Sequence, residues 1–150
     1  MAGRIRKVTD KDFEIISRWF YNPVVFFLCD PELVYPFHKN DWIEFAKKRQ
    51  FFVYCDDKRM IACVALKNGD DGTEITHLFV DKLFRRKSFA KHLIRHICAM
   101  SHKTAVKLHQ SQREQIKLFE TLGFENTKVN DEFLFESKNE RFYVYQRSQD

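Results

Sequence analysis

Arg85, Arg86, Lys87 and Ser88 stand in a row just before a run in which Ala90, Leu93, Ile94 and Ile97 recur at i, i+3, i+4 and i+7. The first N–H groups of a helix have no intrahelical acceptor and lie at the positive end of its dipole. A basic loop opening onto such a helix is therefore an anion site, able to hold a phosphate by amides and by arginine and lysine. A second set of reactive groups, Asp30, Glu32 and His38, lies in the aromatic stretch 21–38, YNPVVFFLCDPELVYPFH, which holds all three prolines. That stretch reads either as a loop and short helix sealing the core or as the apolar wall of a pocket. In a wall with few polar groups, Asp30 and Glu32 would attract a cationic amine. His92 and His96 sit one helical turn apart, the spacing of a metal-ligand pair. They share a polar face with Lys91 and Arg95 and have no acidic third ligand in reach, so they read as a solvated face and no metal is expected.

The elements that must position these groups follow from the periodicity. Arg4 to Val8 is a short strand, and Thr9 with Asp12 forms a capping box that uses aspartate in place of glutamate. The next helix buries Phe13, Ile16 and Phe20, places Trp19 at its edge, and ends at Pro23. Asn40 is expected to cap a second helix over Asp41 to Lys48, with Trp42, Phe45 and Ala46 inward. Phe51 to Cys55 and Met60 to Leu66 are strands joined by the polar turn Asp56 to Arg59. Asn68 to Gly72 turns the chain into a further strand, Glu74 to Val80. Helix 89–100 then leads to strand Thr104 to His109, an order that favours a parallel pair with a right-handed crossover. Ser111 and Glu114 form a capping box for a helix over Gln112 to Thr121, and Gly123 suits a left-handed C-terminal cap. Phe133 to Glu136 and Arg141 to Gln146 close the chain as a hairpin turning near Lys138 to Glu140. The string β-α-α-β-β-β-α-β-α-β-β is a mixed α/β layer, not a doubly wound sheet.

Size and composition bound the function. The 150 residues suggest a single domain over 1–150, with 44% hydrophobic residues to build its core. No apolar run approaches the roughly 18 residues a membrane span needs. The N-terminal segment lacks an apolar signal core. Cys29, Cys55, Cys63 and Cys98 show no paired spacing and read as reduced thiols. A cytoplasmic protein without a membrane partner is expected. The net charge of +5 points weakly to anionic partners. Without a nucleic-acid signature, a solvated basic surface accounts for that charge better than nucleic-acid binding does.

Taken together, this order and the central stretch resemble the GNAT superfamily of acetyl-CoA-dependent N-acetyltransferases. The family pattern is a strand ending in an apolar residue and valine, then a loop Arg/Gln-x-x-Gly-x-Gly/Ala at a helix start. The segment from Val80 through Arg85, Arg86, Lys87, Ser88 and Phe89 to Ala90 matches it in position, with Ser88 in place of the first glycine. A second family element, an aromatic followed by x-x-Leu-Gly-Phe, is matched by Phe119 to Phe124, and Gln112 stands where the family has asparagine. The opening from Ile5 to Asp12 also looks like that of many such enzymes.

The resemblance implies a mixed, mostly antiparallel central sheet with a splayed parallel strand pair and helices on both faces. It implies acetyl-CoA as co-substrate: the backbone of Leu78, Phe79 and Val80 along the pantetheine arm, and the amides from Arg85 to Ala90 around the pyrophosphate. Gln112 and Phe119 would flank the cofactor cleft. The reaction would be direct attack of a neutral amine (a small molecule, a peptide N-terminus or a lysine) on the thioester. Glu74, six residues before Val80, stands where several members keep a general base. His77 is a second candidate by its intrinsic pKa, although regular strand alternation points it to the opposite face unless a bulge intervenes. Asp30 and Glu32 lie in the segment that meets the acceptor, and a homodimer is compatible with the family. Phe119 replaces a tyrosine that serves many relatives as general acid, and phenylalanine has no proton to give. The alternative is therefore a degenerate member that binds acyl-CoA or a macromolecule without efficient turnover.

Overall fold

The computed structural model describes residues 3–85 and 88–148. Seven strands form one sheet: β1 (Arg4–Lys7), β2 (Gln50–Cys55), β3 (Met60–Gly69), β4 (Gly72–Val80), β5 (Lys103–His109), β6 (Glu125–Phe135) and β7 (Lys138–Ser148), in the order β1-β2-β3-β4-β5-β7-β6. Among the described residues only the β4–β5 pair is parallel, and the helix between the two strands supplies the crossover. This is the mixed, mostly antiparallel sheet expected from the sequence.

Two apolar cores lie on opposite faces of the sheet. On one side, α1 (Phe13–Trp19), α2 (Pro23–Cys29) and α3 (Lys39–Lys48) bury Phe13, Ile16, Phe20, Phe26 and Trp42 against Phe51, Val53, Cys63 and Ala65. On the other, Leu93, Ile94 and Ile97 of α4 (Phe89–Met100) and Phe119 of α5 (Arg113–Thr121) cover Phe52, Ile61, Val64, Leu66 and Ile75. Each fully buried phenylalanine, leucine, isoleucine or valine among them contributes about 1.5–3 kcal/mol. Strand alternation explains the split: neighbouring residues of β2 and β3 feed opposite cores.

Several element ends differ from the sequence expectation, each for a local reason. Pro23 opens α2 rather than only ending α1. It sits at the first turn, where its missing N–H costs nothing, and Asn22 Oδ1 accepts from the amides of Val24 and Val25 at 2.9 and 3.1 Å. His38, not Asn40, precedes α3, and its N–H donates to Asp41 Oδ2 at 2.8 Å. Gln112, not Ser111, caps α5, because Ser111 bonds instead to His109 Nδ1 at 2.8 Å. The final hairpin turns at Glu136 and Ser137, both at positive φ, so β6 and β7 run longer than expected.

Candidate active site in the cleft between β4 and β5

β4 and β5 are in register only from Thr73–Thr104 to Ile75–Val106. Beyond that point β5 continues along β7 while β4 stays with β3, so the two parallel strands part and a cleft opens between them. Its walls are Leu28 and Cys29 from α2, Ile75 to Leu78 from β4, Val106 to Leu108 from β5, and Gln112, which caps α5, with Gln115 and Phe119 within that helix.

A β-bulge lies at the mouth of the cleft. Cys63 faces Phe79 while Ala65 faces Thr76, so Val64 stands opposite both His77 and Leu78. The extra residue is taken up by His77, whose φ is 51°. The shift turns Thr76 and His77 to the same side, where His77 Nδ1 lies 2.9 Å from Thr76 Oγ1. Simple alternation is thereby broken, and His77 is carried onto the side that holds Trp42 and Phe45, with ring centroids at 5.5 and 4.9 Å. The imidazole is 1% exposed, and burial, aided by the Arg49 cation, drops its pKa to about 3. Such a ring is neutral at physiological pH and too weakly basic to take a proton from an ammonium. The structure gives His77 a packing role among aromatic rings.

Glu74 has a different environment. It lies on β4 opposite Lys67 of β3 and Ala105 of β5, at the last paired stretch before the strands part. Its side chain is 25% exposed. Burial raises its pKa and the Asp30 and Glu32 charges add to the rise, while Lys107 and Lys67 oppose it. Lys107 Nζ stands 3.9 Å from Glu74 Oε2 and 3.6 Å from Glu32 Oε2, and Lys67 Nζ stands 3.7 Å from Glu32 Oε2. A half-buried carboxylate held above its ordinary basicity, in reach of solvent, is a group able to accept a proton.

The two acids of the aromatic stretch divide. Glu32 is exposed and faces the Glu74 side chain across Lys107. Asp30 is 2% exposed and is consumed by structure: its Oδ2 accepts from Arg49 Nη1 at 2.8 Å and its Oδ1 from the Glu32 amide at 3.1 Å. Arg49 also reaches Thr76 Oγ1 at 3.3 Å. Asp30 thus anchors the C-terminal end of α2 to Arg49, at the end of α3, and through it to Thr76 of β4, leaving Glu32 as the acid that faces solvent.

Of the groups assigned to the cofactor, Leu78, Gln112 and Phe119 line the cleft. Phe79 and Val80 follow Leu78 on β4 beyond the last residue paired with β5, and Phe79 carries Trp19 stacked on it at 5.2 Å. The Val80 carbonyl accepts from Arg85 Nε at 3.0 Å, which folds the Arg85 guanidinium to 5.2 Å from the Phe79 ring. Arg86 and Lys87 lie outside the described residues. Ser88 precedes α4 in the left-handed region, φ 68°, the conformation glycine adopts most easily. The first intrahelical bond of α4 runs from the His92 amide to the Ser88 carbonyl at 3.1 Å, so the amides of Phe89 and Ala90 have no helical acceptor. Gln112 Oε1 accepts from the His109 amide at 2.9 Å and its amide group donates to Gln115. Phe119 is 1% exposed and packs edge-on against Phe124 at 5.0 Å.

The model of the acetyltransferase (GNAT) domain matches residues 47–126, which include this whole strand–loop–helix unit and α5. The chain belongs to the GNAT acetyltransferase family. An uncharacterised protein of Methanocaldococcus jannaschii is 25% identical over 140 residues; the match covers 85% of this chain and 29% of that protein, so this GNAT domain spans under a third of its relative. Two solved structures share the fold over nearly the whole chain. The spermidine N-acetyltransferase of Vibrio cholerae, in complex with CoA and spermine, has a TM-score of 0.78 at 17% identity, covering 98% of this chain and 95% of that one. A GNAT superfamily phosphinothricin acetyltransferase of Sinorhizobium meliloti, in complex with acetyl-CoA, has a TM-score of 0.76 at 14% identity, covering 99% and 89%.

Lys107 and Gln115 line the candidate cleft of this GNAT domain, and Arg49 bonds Asp30 and Thr76; the sequence did not single out these three. Lys107 alternates with buried Val106 and Leu108 and so reads as an ordinary outward strand residue; only the β4–β5 register places it beside Glu74. The other sequence candidates stay apart from the cleft. His92 and His96 are exposed, and among the described residues no group of histidine, cysteine or acidic side chains could hold a metal. Among the described residues no helix is long and apolar enough to cross a membrane.

Proposed function

We propose that this domain moves an acetyl group from acetyl-CoA to a primary amine by direct attack, with Glu74 accepting the amine's proton. The observation that carries the reading is a half-buried carboxylate of raised basicity at the point where β4 and β5 part. Neighbours of the same fold bound to CoA or acetyl-CoA support the choice of co-substrate. The amides of Phe89 and Ala90 at the start of α4, which have no helical acceptor, suit the pyrophosphate. The open β4 edge past the bulge suits an extended arm, and Gln112, Gln115 and Phe119 close the cleft around its end. Acetyl-CoA is consumed in each turnover, so it is substrate and not resident cofactor. A cytoplasmic setting, with acetyl-CoA at hand and thiols reduced, fits the four free cysteines.

The amine's class follows from the charges around it: Glu32 is the exposed acid on the acceptor side, suited to an acceptor that arrives as a cation. Small amines, peptide N-termini and lysine side chains all meet that description. One observation favours a second reading, a binder without efficient turnover: buried Phe119 offers no proton to a leaving thiolate. A thiol of pKa near 8.5 leaves tolerably without one. Thiol release from acetyl-CoA, measured against a panel of small amines and peptides, tests the proposal. Amine-dependent release is expected. Calorimetric CoA binding without release for any amine would select the second reading, and absence of both binding and release would overturn the two together.

A further inference from the structure

Lys107 is a primary amine already standing where the proposed acceptor must stand. β5 places it one residue past Val106, the last residue in register with β4, and it lines the cleft together with Thr76, His77 and Leu78. Its Nζ lies 3.9 Å from the Glu74 carboxylate and 3.6 Å from that of Glu32. Its position is further fixed by the Phe133 ring, 5.5 Å from Nζ to the centroid. The side chain is 22% exposed, so it is sheltered without being sealed in the core. An ammonium held beside the one group proposed to deprotonate amines, in the same cleft as the proposed thioester, is placed for chemistry as well as for charge balance.

We propose that Lys107 is an acceptor in its own right, a site of self-acetylation by the acyl thioester bound in the cleft. This rests on the acetyltransferase reading. The Lys107 ammonium first gives a proton to Glu74, through one water or a small side-chain movement that closes the 3.9 Å gap. The freed Nζ lone pair attacks the thioester carbonyl carbon. A C–N bond forms, the C–S bond breaks, and CoA leaves as thiolate. The second proton lost by nitrogen goes to that thiolate, giving CoA as free thiol, while Glu74 returns its proton to solvent. No oxidant or reductant is required. The product carries no charge at position 107, so the cation that lay between Glu32 and Glu74 is gone.

Mass mapping of the intact protein tests this. The wild-type protein is incubated with acetyl-CoA and no added amine, and acetylation is followed with time at Lys107 and at the exposed Lys58 and Lys138. A denatured sample measures background chemistry. The expected result is acetylation of Lys107 approaching one group per chain, roughly 10-fold or more faster than at Lys58 or Lys138, and reduced to background by Glu74→Gln with CoA binding retained. Lys107 modified no faster than Lys58, or modified equally in Glu74→Gln, would overturn the inference. Lys107 left unmodified while acetyl-CoA is consumed with an added amine would overturn it too, and would leave the acetyltransferase reading in place.

Discussion

Glu74 and Lys107 set each other's chemistry. Burial and the like charges of Asp30 and Glu32 push the Glu74 pKa up, and Lys107 is the largest opposing influence, with Lys67 behind it. Lys107→Met therefore lifts the Glu74 pKa further. An upward move of the acid limb of the kcat/KM profile is the expected outcome, and a downward move would contradict this charge arrangement. His77 makes a prediction about stability instead. Its folded pKa of about 3 lies below its unfolded value near 6.5, so between those values the unfolded chain binds more protons. Stability then rises with pH through that window, by up to about 1.4 kcal/mol per pH unit from this group, and is lost as pH falls. His77→Asn, which tolerates the left-handed backbone, flattens that dependence in urea titrations; an unaltered slope would show that other groups carry it. The bulge explains why residue spacing misled here. Alternation sends Glu74 and His77 to opposite faces, and the one extra residue that reverses this leaves no mark in the sequence.

At the scale of elements, what joins and ends them decides more than their periodicity. Gly123 ends α5 at φ 91°, where the amides of Gly123 and Phe124 reach back to the carbonyls of Glu120 and Phe119, both at 3.0 Å. Gly123→Ala forces an L side chain into that conformation and costs about 1–2 kcal/mol, read as a lower urea midpoint. Asp30 and Arg49 tie α2 to the sheet from positions 3% and 13% exposed. Asp30→Asn leaves the guanidinium buried without its anion and should cost about 3–5 kcal/mol; a loss within experimental error would show that Arg49 finds another partner. Gly123 and the Thr9–Asp12 box were legible because each needs a specific residue type at a fixed offset, and the Thr9 amide does donate to Asp12 at 2.7 Å. The caps at His38 and Gln112 were not, because better-suited residues, Asn40 and Ser111, stand nearby and the chain uses them otherwise.

For the molecule as a whole, one sheet separates two cores and the parting of β4 from β5 opens the site between them. That architecture was readable from the order of elements and from the strand–loop–helix unit, since both follow from local pattern and from one crossover rule. The side chains that meet in the cleft were readable only in part. Glu32 and Glu74 were named from the sequence, but Lys107, which stands between them, was not, because the β4–β5 register and the loop after α2 bring it there. The Arg85 side chain also differs from a simple phosphate ligand, since it bonds the Val80 carbonyl. Everything proposed for this domain turns on whether Glu74 handles the proton of an amine at the thioester. The direct measurement is kcat for amine-dependent thiol release by wild type and Glu74→Gln, compared from acid to alkaline pH. The account predicts a loss of about 10²–10⁴-fold in kcat, with CoA affinity kept and the acid limb of the profile abolished. Equal kcat and an unchanged profile in the two proteins would contradict it.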